Sequence, residues 1–286
     1  MKKIGTIITT IILGALLIMA CSQNDSTEFA DGNGKINVYL TDAPFPISLV
    51  SQTIVTINKV EIRKHENDST EAIFISLMEE AFEIDLLTLS NGITEQLASV
   101  ELEAGSYDLI RMHVTDAKVI LTDGSEFDLK IPSGTSSGLK IKIQPEITIA
   151  SGQTTDVLLD FDVSKSFVVK GNWKDGNIKG FNFKPVVRGV LLDRAGRIKG
   201  RVTDTTANAL ENAAIKLWEE INDVDNDSIV ATAFTNPEGQ YQLIGIPEGT
   251  YYMTAERDSF QTDTIWNVDV LKGESSQIDF VLTPEP

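Results

Sequence analysis

The chain reads as all-β: two β-sandwich domains in tandem, following an N-terminal apolar segment. Three observations point there. Apolar residues recur at every second position in run after run. Asp-Gly pairs punctuate the runs. Val, Ile and Thr are plentiful beside 20 glycines and 9 prolines. Period two with one apolar face is the signature of strands that bury one side of a sheet.

In chain order, Met1-Lys2-Lys3 is positive and Ile4 to Ala20 carries no charge, the layout of a secretory signal. As a helix the run would span about 25 Å, short of the ~30 Å hydrocarbon core; a permanent membrane helix is the alternative reading. Ile18-Met19-Ala20-Cys21 resembles a bacterial lipobox, in which a small residue precedes a cysteine that is lipidated before cleavage. Residues 1–20 are therefore expected to be a lipoprotein signal peptide cleaved between Ala20 and Cys21, with acyl groups such as palmitate on Cys21. Cys21 is the only cysteine, so the chain builds no internal disulfide. Two or more acyl chains, at ~0.8 kcal/mol per buried methylene, hold a protein stably on a membrane. Residues 21–34 are polar and aperiodic and read as a flexible tether with an end-to-end distance of roughly 20 Å. Asp25 and Glu28 follow the cysteine closely, and in some Gram-negative groups such acids mark export to the cell surface. The expected location is the bacterial cell envelope, at the outer membrane, with the periplasmic and surface faces both open.

The formal charge is -18, and more negative once the two signal lysines are removed. Nucleic acid and anionic membrane surfaces need basic patches, so neither suits as a partner. A solvated surface or cation binding does.

Residues 35–192 form the first expected sandwich, of seven to nine strands. Val38 and Leu40 alternate with Asn37 and Tyr39 up to an expected turn at Thr41-Asp42-Ala43-Pro44. Val60 and Ile62 oppose Lys59, Glu61 and Arg63; Ile110, Met112 and Val114 oppose Arg111, His113 and Thr115, placing His113 on an outer face. Phe127 and Leu129, Leu139 to Ile143, and Val157 to Val163 continue the pattern. Asp123-Gly124 and Asp175-Gly176 read as tight hairpin turns. Ile93, Leu97 and Val100, spaced by four and three, suggest a short helix. The boundary falls near Leu192 to Gly196, and residues 197–283 supply a second, smaller sandwich. Ala104-Gly105-Ser106-Tyr107 and Glu248-Gly249-Thr250-Tyr251 echo each other, each opening a strand with Gly-x-Tyr.

Gly200-Arg201-Val202-Thr203-Asp204, Thr235-Asn236-Pro237-Glu238-Gly239-Gln240-Tyr241 and Ile246-Pro247-Glu248-Gly249-Thr250-Tyr251 resemble the carboxypeptidase regulatory-like domain. The resemblance implies a transthyretin-like β-sandwich, a carbohydrate-binding-like fold, used as a non-catalytic module in secreted bacterial proteins. At Asp258-Ser259-Phe260 the sequence departs from that family, which usually has Gly before the aromatic. Leu40-Thr41-Asp42-Ala43-Pro44, Pro132-Ser133-Gly134 through Gly138-Leu139-Lys140, Leu159-Asp160-Phe161-Asp162 and Lys184 to Arg188 resemble domain-of-unknown-function family 4382 of bacterial lipoproteins. That resemblance implies no activity.

Catalytic patterns dissolve on inspection. Gly134-Thr135-Ser136-Ser137-Gly138 matches G-x-S-x-G, but a nucleophile elbow needs a following helix, and Leu139 to Ile143 alternates as a strand. Two histidines, His65 and His113, outside any zinc-peptidase spacing cannot build a usual catalytic zinc site. No cofactor is expected, with calcium as the one alternative. Asp223, Asp225 and Asp227 take the first, third and fifth positions of a calcium loop, but the sixth and twelfth are Ser228 and Phe234. They read as a solvated acidic hairpin or as a loop calcium site. Asp160 and Asp162, on one strand face with Asp156, are ligand candidates beside the reading of capping or solvated acids. Trp173, beside a turn, reads as hairpin packing or as a stacking surface for glycan; Trp218 and Trp266 read as packed.

The expected function is a non-catalytic, membrane-anchored binding or presentation module whose partner is an envelope protein or a glycan. A glycan-binding component of a nutrient-capture system and a structural spacer or adhesin subunit are the alternatives.

Overall fold

The computed structural model describes residues 32–43, 49–65, 73–131, 137–172, 176–219 and 228–286. The first domain is built from twelve described strands: β1 (Asn33–Ala43), β2 (Val50–Lys64), β3 (Phe74–Met78), β4 (Phe82–Asp85), β5 (Glu95–Glu103), β6 (Gly105–Leu121), β7 (Glu126–Asp128), β8 (Leu139–Ile149), β9 (Thr154–Asp162), β10 (Phe167–Asn172), β11 (Asn177–Phe183) and β12 (Val187–Leu191). A single helical turn, α1 (Val163–Ser166), follows β9. One sheet has the order β12-β9-β1-β5. The facing sheet has the order β3-β2-β6-β7, with β4 added to β2 and β8 to β6. The count exceeds seven to nine because strands as short as β4 and β7, of 4 and 3 residues, pair on long neighbours.

Alternation decides the core. Ile36, Val38 and Leu40 from β1 meet Val157, Leu159 and Phe161 from β9, all at 0 % exposure, against Val55, Ile57 and Met112 of the other sheet. β2 holds its apolar face over 15 residues only because its register shifts between Ile57 and Lys59, so the core set steps from Ile57 to Val60. That is a bulge, which inserts one residue and re-phases everything after it.

A second bulge overturns the helix expected around Ile93, Leu97 and Val100. Those residues run into β5, where Val38 pairs with Ala98 and Tyr39 with Gln96, leaving Leu97 as the extra residue. Leu97 and Ala98 are both buried while Ile93 is 56 % exposed. The interruption of period two produced a spacing that mimics a helix. The turn expected at Thr41 to Pro44 is also corrected. Thr41, Asp42 and Ala43 continue β1, paired in parallel with Asp160, Phe161 and Asp162 of β9. Parallel pairing to a strand more than 100 residues away leaves no local trace for a sequence reading to find.

The second domain has eight strands: β13 (Ala195–Asp204), β14 (Ala214–Glu219), β15 (Ser228–Phe234), β16 (Gln240–Pro247), β17 (Gly249–Glu256), β18 (Asp263–Val270), β19 (Ser275–Gln277) and β20 (Phe280–Leu282). One sheet is β16-β13-β19 with β20 on β13; the other is β15-β14-β17-β18. They enclose a separate core around Ile198, Ile215, Leu217, Met253 and Leu282. Only the short 3-10 turn Leu192–Arg194 separates β12 from β13.

The Gly-x-Tyr echo is structural. Tyr107 Oη donates to the carbonyl of Glu103 at 2.9 Å, and Tyr251 Oη donates to the carbonyl of Pro247 at 2.9 Å, each four residues upstream. Both phenols are buried and tie a strand start to the end of the preceding strand, a tyrosine corner in each domain. Burial pushes both phenol pKa values up.

Candidate interdomain site

The far ends of β1, β9 and the near end of β12 lie side by side, and their register places Thr41, Asp160 and Arg188 in one row across the sheet. This row occupies the outer face of the first sandwich. Two residues back, Leu158 shares that face, is 0 % exposed, and belongs to neither core. The second domain covers it: a Cβ added to Gly245, which sits at φ +67°, would lie 2.7 Å from Leu158 Cδ2. Glycine permits that close approach.

The polar groups of the row are engaged. Arg188 Nη2 donates to Asp160 Oδ2 at 2.9 Å, with the Asp160 side chain 16 % exposed. Thr41 Oγ1 donates to the carbonyl of Ile93 at 2.9 Å. Asp162 is the N-cap of α1. Its Oδ1 accepts from the Lys165 amide at 3.0 Å and from Ser164 Oγ at 2.6 Å, while Oδ2 pairs with Lys165 Nζ at 2.8 Å. The third acid of this strand, Asp156, is apart from these and accepts from Asn37 Nδ2 at 2.8 Å. A cleft of about 420 Å³ runs between Asp160, Asp162 and Arg188 on one side and Glu219 and Tyr251 on the other.

Asp42 lies behind the row, 6 % exposed. Its Oδ1 accepts from the Val163 amide at 3.2 Å, but Oδ2 has no hydrogen-bond partner. Burial raises its carboxyl well above the usual range; the Val163 amide opposes this, and Asp160, Asp162 and Asp85 add to it. Burial likewise raises Asp160, against the pull of Arg188. A protonated Asp42 turns Oδ2 into a donor, on the wall of a small cavity also lined by Asn91, whose Oδ1 is a buried acceptor without a partner. The row was only half legible: the sequence put Asp160 and Asp162 on one face, whereas Thr41 and Arg188 join Asp160 through long-range pairing.

On the opposite sheet, His113, read as standing on the outer face of its strand, is nonetheless buried. It is 8 % exposed, with Nε2 3.0 Å from Glu61 Oε2. Burial pushes the Glu61 carboxyl up, but hydrogen bonds from Arg111 (2.6 Å), Lys59 and His113 outweigh this and hold its pKa at about 2. The Arg111 guanidinium lies 3.7 Å over the Phe74 ring. Gly138 closes the network, since a Cβ there would meet Arg111 Cγ at 2.7 Å. The strand β8, rather than a helix, follows Gly138, unlike a nucleophile elbow.

Cys21 and Ala20, with the signal and most of the tether expected over 21–34, lie outside the described residues, as do Trp173, Gly134 to Ser136 and the three acids Asp223, Asp225 and Asp227. The end of that tether is corrected, because Asn33 and Gly34 already pair with β5 as the start of β1. Among the described residues no group of three His, Cys, Asp or Glu side chains is placed to hold a metal ion. Trp218 and Trp266, expected to be packed, part company. Trp218 is half-buried and its Nε1 donates to Thr254 Oγ1 at 3.1 Å, whereas Trp266 is 57 % exposed.

The fold defines a tandem β-sandwich protein. A family model described as a domain of unknown function (DUF4382) matches residues 33–185, more than half of the chain, and the chain belongs to that family. A second model, the carboxypeptidase regulatory-like domain, matches residues 197–283. No curated protein matches. Among solved structures, the shaft pilin SpaA from Lactobacillus rhamnosus GG is 12% identical, with 90% of this chain and 99% of that chain covered and a TM-score of 0.27. The TIE protein of Bacillus anthracis is 11% identical over 88% of this chain, at a TM-score of 0.25; this chain covers 34% of it, about a third of its length. A putative carbohydrate binding protein from Pseudomonas aeruginosa is 16% identical over 32% of this chain and 90% of that one, at 0.22. Scores this low carry no argument about function.

Proposed function

We propose that the chain is a lipid-anchored protein of the bacterial cell envelope, held at the outer membrane through Cys21, that acts by binding or presentation rather than by catalysis. The observation that carries this reading is where the seam lies. β1 begins at Asn33, next to the tether, and ends at the seam with Thr41 and Asp42, about 30 Å away at ~3.3 Å per residue. The first sandwich thus acts as a post. One end faces the anchor, and the other holds the second sandwich through Leu158, Gly245 and a three-residue connection. The acids that drew attention in the sequence, Asp160 and Asp162, take an ion pair and a helix cap at that joint. Both are thereby held by partners within the first sandwich.

Metabolic acyl labelling of the native chain and of Cys21→Ala, followed by surface protease shaving and a pull-down from intact cells, tests the reading. Label lost in Cys21→Ala, with a chain accessible on cells and a co-purifying envelope component, is expected. An unlabelled chain retaining Met1, or turnover of an envelope substrate by the purified protein, would overturn it.

A further inference from the structure

The β15-β14-β17-β18 sheet of the second domain carries a row of aromatic side chains that crosses its strands. Trp218 on β14 is the direct cross-strand partner of Tyr252 on β17, and their rings stack at 5.9 Å and 3°. Tyr252 stacks in turn on Trp266 of β18 at 4.5 Å and 27°. The immediate neighbours Leu217, Tyr251 and Met253 lie in the core and Ile265 packs against it, so the row stands on the face turned away from the core. β18 is the edge of this sheet, and Trp266 is 57 % exposed there.

The exposure is built into the backbone. The β17–β18 register shifts between Tyr251 and Met253, and Asn267, next to Trp266, has φ +57°. A non-glycine residue in the left-handed region is uncommon, and bulges of this kind re-aim a side chain. Here the bulge brings Trp266 onto Tyr252, whose two ring faces are thereby both covered. Trp266 keeps one covered face and one open face. The stack restrains its rotamer in advance, so little freedom remains to be lost when a flat ligand settles on the open face.

The neighbouring row supplies hydrogen-bonding groups. Lys216, Thr254 and Thr264 are cross-strand partners one step along the same face; Thr254 is buried and accepts from Trp218 Nε1, while Thr264 is partly exposed. Lys216 is charge-paired with Glu256 at 2.6 Å. An open indole face beside the Thr264 hydroxyl and a neutralised charge pair complements a ring with an apolar C–H face and equatorial hydroxyls. Polyanions with stackable rings, nucleic acids above all, are disfavoured by the formal charge of -18 and by Glu256 and Asp269 on this face.

We propose that this face of the second domain is a glycan-binding surface on which Trp266 stacks against an uncharged pyranose ring, with Tyr252 and Trp218 as its rigid backing. The inference rests on the reading of the chain as a binding module, but not on its anchoring or location. Affinity electrophoresis of the purified full chain through gels containing starch, mannan, mixed-linkage β-glucan or, as anionic controls, alginate and heparin tests it directly. Retardation by at least one neutral polysaccharide is expected. Trp266→Ala should weaken it roughly ten-fold or more, the size expected for an aromatic anchor, at an unchanged melting temperature. Trp266→Phe should retain part of it, and the sugar should change the tryptophan fluorescence of the native chain. Several results would overturn the proposal: no retardation by any neutral polysaccharide, retardation only by the anionic controls, or retardation indifferent to Trp266→Ala. A concentration-dependent dimer lost in Trp266→Ala would do so as well, assigning the face to a second copy. An unlabelled native chain retaining Met1 in the separate anchoring experiment would leave these outcomes unchanged, so the two readings fail independently.

Discussion

Two buried carboxylates in this protein titrate in opposite directions, and stability should report both. Asp42 is raised by burial among other acids, so its folded pKa exceeds the unfolded value of ~3.9. Its contribution is complete below that unfolded value and is lost as pH rises through the folded one. Asp42→Asn keeps the shape without the charge; its melting temperature should equal or exceed that of the native chain at neutral pH, and its decline with rising pH should be shallower. Glu61 is the reverse case. Held at about 2 against a usual 4.5, it stabilises the fold above the unfolded value and loses that contribution as pH falls toward 2. Glu61→Gln should lower the melting temperature at pH 7 and flatten the acid limb of the curve. A third residue concerns the backbone. Ser259, where the resembling family usually has glycine, sits at φ +68°. The turn keeps the left-handed conformation with a residue that tolerates it less well. Ser259→Gly should therefore stabilise by about 1 kcal/mol in chemical denaturation, the relief of left-handed strain exceeding the entropic cost of glycine.

Among the elements, the paired tyrosine corners invite a matched experiment. Each hydroxyl reaches a carbonyl four residues back across the opening of a strand, and in both domains that strand, β6 or β17, sits inside its sheet rather than at an edge. Removing one hydrogen bond leaves a carbonyl short of its partner at a cost of about 1 kcal/mol. Tyr107→Phe and Tyr251→Phe should each lower stability by that amount, read by denaturant midpoints. A value near zero for either would show that its hydroxyl only rests near the carbonyl. Bulges are the other lesson at this scale. The steps at Ile57–Lys59 in β2 and at Leu97 in β5 keep long strands in phase with a curved core. Both break the alternation on which a sequence reading depends. The first was absorbed because Val55, Ile57, Val60 and Ile62 remain recognisably apolar. The second converted a strand into an apparent helix because it fell among few apolar residues.

Across the whole molecule, the two domains meet at a seam formed by Leu158, Gly245 and a three-residue connection. Leu158 is the apolar contact that neither core claims, and Leu158→Ala should cost about 2–5 kcal/mol of coupling if the gap fails to close. Calorimetry of that variant should resolve a single transition into two, with the second domain melting unchanged. The aromatic row lies on the second domain, on β14, β17 and β18.

Period two, turn residues and the lipobox-like tetrad are local patterns, and from them the sequence by itself determined the β class, the division into two sandwiches and the motifs of two families. The tyrosine corners were visible as an echo, because a hydroxyl reaching four residues back is nearly a local event. Tertiary structure alone decided which side chains meet. Thr41, Asp160 and Arg188 come together through a parallel pair and an antiparallel one, and Trp218, Tyr252 and Trp266 through the order of three strands and one bulge. The physical reason is that a strand's own sequence specifies its faces, while its neighbours and register are set by the burial of the whole core. His113 and Trp266 show it from both sides. His113 was assigned to an outer face by alternation and Trp266 was read as packed, and each received its exposure from what the rest of the chain did or did not lay over it.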